Sequence, residues 1–182
     1  MNAGFVTPGA FSRIVLSVDD LDFAQVYERH ARDIYRFSVY LSGDVHVAEE
    51  VTAETFARAW ASRDRVRLGS VKAYLLMIAR NLIRDMHRAP AVSSLPGDTA
   101  VADQAADQER TAHARQEWRT VQRALAGLPE VDRAILLMAT MEGLSHQEIA
   151  ESVGLSVTAV KVRIHRARVR LNAARGHTKE SS

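Results

Sequence analysis

The stretch Ser145–Leu171, SHQEIAESVGLSVTAVKVRIHRARVRL, decides the fold of at least one part of this chain. Ser145 and Glu148 have the S-x-x-E spacing of a capping box, so a helix begins there. Ile149 falls on its inner face, and Ala150 is small where two helices must approach closely. Gly154 supplies the positive φ that a tight inter-helix turn requires. Leu155 plugs that turn, and Ser156 caps the next helix. Val160, Ile164, Ala167 and Leu171 then recur at steps of four, three and four, one apolar stripe. The opposite face carries Thr158, Lys161, Arg163, His165, Arg166 and Arg170. A helical hairpin with a solvated basic face would explain the charges alone. It would not explain Ala150, Gly154 and both serine caps arriving in register. The pattern predicts a helix-turn-helix whose second helix enters the major groove of duplex DNA while flanking cations neutralise phosphates.

Working upstream, Pro129 suits the first position of a helix ending near Met141, before Gly143. Trp118, Val121, Leu125 and Leu128 mark another helix ahead of it. From Pro90 to Gln108 there is no sustained apolar period, and the charges are Asp98, Asp103 and Asp107; the composition is that of a flexible linker. Before it, Ser70 caps VKAYLLMIARNLIRDMHR, and Ser62–Gly69 is polar and rich in arginine. Asp44 caps a helix reaching Trp60. Asp22 caps one with Phe23, Val26, His30, Ile34, Phe37 and Leu41 on a common face, stopped by Gly43. The expectation is an all-α chain of two small helical domains, 21–89 and 112–175. A loose tail (1–20), an acidic linker (90–111) and a terminal tail (176–182) complete it.

Composition limits the function classes. Apolar residues make up 47% of the 182, enough for a buried core, and 9 Gly with 4 Pro favour helix. With no cysteine, disulfides and thiolate metal sites are excluded, and a reducing compartment is expected. No segment has the length of a membrane span or the form of a signal peptide, so a cytoplasmic, nucleoid-associated protein without membrane insertion is expected. The net charge of +2 conceals a basic run without acidic residues from Lys161 to Arg175. There is no phosphate-binding glycine loop and no metal-ligand cluster, and the His residues are scattered. Neither catalysis nor a cofactor is expected.

Three segments then carry a family resemblance. LPEVDRAILLMATMEGLSHQEIAESVGLSVTAVKVRIHRARVRL resembles the fourth conserved region of bacterial sigma factors of the extracytoplasmic-function (ECF) type. DVHVAEEVTAETFARAW is similar to the polymerase-binding helix of the second region, and SVKAYLLMIARNLIRDMHR to its promoter-melting helix, with Ile78–Asn81 as its core. They occur in family order, across about Phe23 to Leu171.

The resemblance implies a dissociable subunit of RNA polymerase that directs the core enzyme to promoters. Asp44, Glu49, Glu50, Glu54, Phe56 and Arg58 would meet the clamp of the largest subunit, and the fourth region would meet the flap region of the core enzyme. Phe56 and Trp60 read equally as core. Arg63, Arg65, Arg67, Arg80, Asn81, Arg84, Asp85 and Arg88 would serve the minus-10 element, Asn81 on an extruded base and the arginines on phosphates. Arg80 or Asn81 could instead brace the bundle. Ser156, Thr158, Ala159, Lys161, Val162, Arg163, His165 and Arg166 would read the minus-35 element. Thr158, Ala159 and Val162 depart from the common family residues, as does Ala53, where Gln is frequent. An exposed Val162 could meet a thymine methyl, or pack on a neighbouring helix. Fully extended, Pro90–Gln108 reaches about 60 Å at ~3.3 Å per residue, enough for DNA elements roughly 55 Å apart at ~34 Å per turn. Many members of the family are held by an anti-sigma factor, a further partner the resemblance allows. A stand-alone helix-turn-helix regulator would use Ser145–Leu171 but leave the other two segments without a role. A polymerase-binding decoy would have no use for the basic face.

Overall fold

A computed structural model describes residues 23–62, 70–88 and 108–179, and all the regular structure among them is helical. Seven helices follow in order: α1 (Phe23–Ser42), α2 (Val45–Ala61), α3 (Val71–Arg88), α4 (Gln108–Ala126), α5 (Glu130–Thr140), α6 (His146–Val153) and α7 (Val157–Lys179). The all-α expectation holds. Asp22, Arg63, Arg65, Arg67, the tail at 1–20 and the linker from 90 to 107 lie outside the described residues.

Local chemistry sets most of the helix ends. Gly43, at φ +80°, donates back to the Val39 carbonyl at 2.9 Å and ends α1. Asp44 then accepts from the amides of His46 (2.8 Å) and Val47 (3.2 Å), satisfying two donors that the first turn of α2 would otherwise leave unpaired. The Ser70 hydroxyl does the same for Ala73 at the start of α3. Pro129 is the N-cap of α5 rather than its first helical residue. Its carbonyl accepts from Arg133, which fixes its position one residue outside the helix. At the other boundaries, α4 begins at Gln108 and α7 runs on to Lys179, both beyond the expected limits.

Ile34, Phe37 and Leu41 of α1 pack with Val51 and Phe56 of α2 and Leu75, Leu76 and Ile83 of α3. Each fully buried side chain of this size contributes roughly 1.5–3 kcal/mol. The same core continues without a break into Leu125, Ile135, Met138, Ile149, Val160 and Ile164 of the C-terminal helices. Helix α1 lies against α4 and α5, and α3 against α5 and α6. The three N-terminal helices and the four C-terminal ones therefore meet face to face, an arrangement that the reading of two linked domains does not anticipate.

Candidate nucleic-acid interface

The capping box is fully formed. The Ser145 amide and hydroxyl donate to Glu148 Oε2 at 2.8 and 2.7 Å, and the Glu148 amide donates to Ser145 Oγ at 3.2 Å. Burial alone would push the Glu148 carboxyl up. Hydrogen bonds from the Ser145 hydroxyl and amide, and from Ser70 just ahead of α3, outweigh it and hold the group below the ordinary value. Gly154 adopts φ +69°, ψ +37°, and the Leu155 amide closes the turn on the Ala150 carbonyl at 3.0 Å. Ser156 then caps α7 through the Ala159 amide.

These constraints fix the rotation of α7. Val160, Ile164 and Ala167 are buried, with Leu171 partly so. Ser156, Thr158, Lys161, Val162, His165 and Arg166 are exposed on the remaining surface. Val162 is 42% exposed, so it stands in the face available to a ligand instead of packing on a neighbouring helix. Ala159 and Arg163 are half-buried. Arg163 is not free: its guanidinium is paired with Asp132, itself buried in the first turn of α5.

On α3, Asn81 is half-buried and Asp85 and Arg88 are exposed. Arg84 pairs with its neighbour Asp85 at 3.3 Å. Arg80 is placed differently. Its side chain is only 8% exposed and forms a two-pronged contact with Glu130 of α5, Nε to Oε1 at 3.0 Å and Nη2 to Oε2 at 3.3 Å. In this arrangement it braces the two halves of the molecule.

On α2, Glu49, Glu50 and Arg58 are exposed, and Arg58 pairs with Glu54 one turn earlier at 2.6 Å. Asp44 is engaged in capping. The aromatic pair separates: Phe56 is core, while Trp60 is 48% exposed, edge-on to Phe23 with centroids 4.9 Å apart. Tyr27, also exposed and 4.7 Å from the Phe56 ring, joins the same surface patch. The sequence reading omits Tyr27. Its only signal was an aromatic one position beyond the apolar stripe of α1.

Known proteins share both parts. The family model of sigma-70 region 2 matches residues 26–91, and that of sigma-70 region 4 matches residues 118–171. The ECF RNA polymerase sigma factor SigE of Mycolicibacterium smegmatis is 34% identical over 151 residues, covering 81% of this chain and 59% of the relative. The ECF RNA polymerase sigma factor SigL of Mycobacterium tuberculosis is 30% identical over 148 residues, covering 78% of this chain and 82% of the relative. This chain therefore spans little more than half the length of the first and most of the second. Among solved structures, CnrH in complex with the cytosolic domain of CnrY superposes with a TM-score of 0.65 at 27% identity, covering 83% of this chain and 85% of that one. The sigma factor RpoE of Bartonella quintana, solved with the anti-sigma factor NepR, shares the fold at a TM-score of 0.64 and 24% identity, over 84% of this chain and 96% of its own. With both regions present in order, and with relatives matched across most of its length, the chain belongs to the ECF RNA polymerase sigma factors.

Proposed function

We propose that this protein is a dissociable promoter-specificity subunit, without catalysis of its own, that brings core RNA polymerase to two DNA elements. The observation that carries this reading is the pairing, in one chain, of a region 2 match with a helix-turn-helix whose basic face is exposed. Within residues 112–175, α7 reads the minus-35 element through Ser156, Thr158, Lys161, Val162, His165 and Arg166. Within 21–89, α3 and the basic segment before it serve the minus-10 element. Asn81 is the residue for an extruded base, and Arg84, Arg88, Arg63, Arg65 and Arg67 serve the backbone. Glu49, Glu50, Glu54 and Arg58 of α2 meet the clamp of the largest polymerase subunit, with Trp60 and Tyr27 adding apolar area at the edge. Phe56 supports that surface from beneath. Region 4 meets the flap.

Among the described residues no helix is long and apolar enough to cross a membrane; a place in the cytoplasm beside the nucleoid follows from the promoter-binding role proposed here. An anti-sigma factor is a further partner in this reading: RpoE was solved with the anti-sigma factor NepR, and CnrH with the cytosolic domain of CnrY. The deciding experiment is reconstitution: the chain should co-elute with core polymerase and start transcription from a candidate promoter. No co-elution would sink the proposal. Asn81→Ala should reduce permanganate reactivity of melted bases more than it reduces duplex binding.

A further inference from the structure

Asp132 is the third residue of α5, in the first turn, where the helix dipole favours a carboxylate. That preference needs no partner. Yet its side chain is only 10% exposed, and a carboxylate taken that far out of water requires a cation. The cation comes from the recognition helix: Arg163 donates to Asp132 Oδ1 through Nη1. Among the described residues, Lys161, Arg166 and Arg170 of α7 have no such carboxylate partner.

Arg163 stands at the edge of the surface offered to DNA. Val160, Ile164 and Ala167 beside it on α7 are buried, whereas Val162 and Arg166 are exposed. Its own side chain is 39% exposed. A guanidinium carries five N–H groups in a rigid fork, so engagement of Nη1 leaves Nε and Nη2 for an outside acceptor. An unpaired arginine on this face adds to the binding of any duplex, because each phosphate it neutralises releases counterions. Arg163 differs on two counts. The charge of Asp132 offsets its own and weakens its pull on phosphates. Its placement is also set before DNA arrives, so little freedom is lost when acceptors of matching geometry, such as guanine O6 and N7, meet the fork.

We propose that Asp132 is a positioning residue for sequence reading: it withholds Arg163 from phosphates and presents it to a guanine of the minus-35 element. This rests on the reading of α7 as the helix that enters the major groove at that element. In that arrangement α5, which itself reads no base, sharpens the choice made by α7. Wrong sequences gain little from Arg163, and the right one gains a bidentate contact.

The test uses the full chain, a fluorescein-labelled duplex of mixed sequence, and a duplex pool randomised over a central segment. Asp132→Asn frees Arg163 and should tighten mixed-sequence binding about fivefold at low salt, with a salt slope steeper by about one. Asp132→Asn combined with Arg163→Gln should show neither change. Selection from the pool by the wild-type chain should enrich a guanine that Asp132→Asn and Arg163→Gln no longer enrich, the other preferred positions being kept. A purely structural role for Asp132 would weaken every position alike. Arg163→Lys keeps the charge without the fork and should lose the same guanine. If Asp132→Asn lost its helicity, Arg163→Lys would decide through the pool. A salt slope unchanged in a folded Asp132→Asn would overturn the proposal, as would a gain that survives Arg163→Gln. So would a pool that yields no guanine dependent on Arg163. Co-elution of the unaltered chain with core polymerase reports separately on the function proposed above, and it can succeed while Asp132 proves to have no part in reading DNA.

Discussion

In the turn after α5 the fully buried Glu142 carboxylate lies 3.0 Å from Arg36 of α1 and 2.8 Å from Lys72 of α3, and removing one side of this cluster should cost more than removing the other. Glu142→Ala deletes a carboxylate with no exposure and leaves two cations. Arg36 is 40% exposed and Lys72 is 23% exposed, and both keep Asp33 within reach, at 3.4 and 2.8 Å. They can turn towards water, so the loss should be about half of the ~3–5 kcal/mol for an orphaned buried charge, or ~2 kcal/mol. Lys72→Ala with Arg36→Ala instead strands a carboxylate that is fully buried in the folded protein, and should cost the full ~3–5 kcal/mol. Urea unfolding followed by far-UV dichroism measures both, urea being chosen because it leaves ion pairing unscreened. Lys72→Met with Glu142→Leu, which removes charge from both sides, should lie nearer to wild type than Lys72→Ala. A loss for Glu142→Ala equal to or above that of the cation pair would refute the reasoning, since the carboxylate would then be holding the cations in place instead of depending on them.

Other outcomes follow from single sites. Arg166→Ala should lower the salt slope of duplex binding by about one. Arg163→Ala should lower it less and cost more stability, because Arg163 is held by Asp132; equal slopes in fluorescence anisotropy would mean that Arg163 leaves Asp132 on DNA. Gly154→Ala meets no atom within 4 Å of the added methyl, so its cost is backbone strain alone, ~1–2 kcal/mol. Calorimetry should show a melting point lower by about 2–4 °C per kcal/mol; an unchanged one would show that the turn relaxes. Burial, then the Lys72 cation, with a smaller part from Arg29, holds His30 below its ordinary value of 6.5 against the pull of Asp33. The unfolded chain thus takes up the proton first as pH falls, and stability present above about 6.5 is lost below it. His30→Gln should flatten that loss between pH 7.5 and 5.5 in urea midpoints; a slope unchanged by the substitution would remove His30 as its source.

The helix-turn-helix was readable from sequence because its signals are local. Ser145, Glu148, Gly154 and Ser156 act within one or two turns, and the stripe through Val160 and Ile164 needs only helical periodicity. The contact between the halves was not readable. Arg36 and Glu142 are 106 positions apart and Arg80 and Glu130 are 50 apart. Each in isolation looks like a solvated charge on a helix surface. Phe56 and Trp60 lie one turn apart and offer the same apolar signal. Which of them is core depends on where α1 lies across α2, a tertiary fact. Asp132 likewise gave no hint that it would restrain a side chain of the recognition helix.

The ring pair formed by Tyr40 of α1 and Trp118 of α4, with centroids 4.7 Å apart, turns the molecule into its own optical gauge. The chain has two tryptophans, and the other, Trp60, lies on the α2 surface beside Phe23. Parting of the halves would move Trp118 away from the phenol and into water, shifting its emission to the red. Trp60 would respond instead when α2 is covered. With one residue at each place, Trp60→Phe and Trp118→Phe variants would let steady emission time both events in an unlabelled protein.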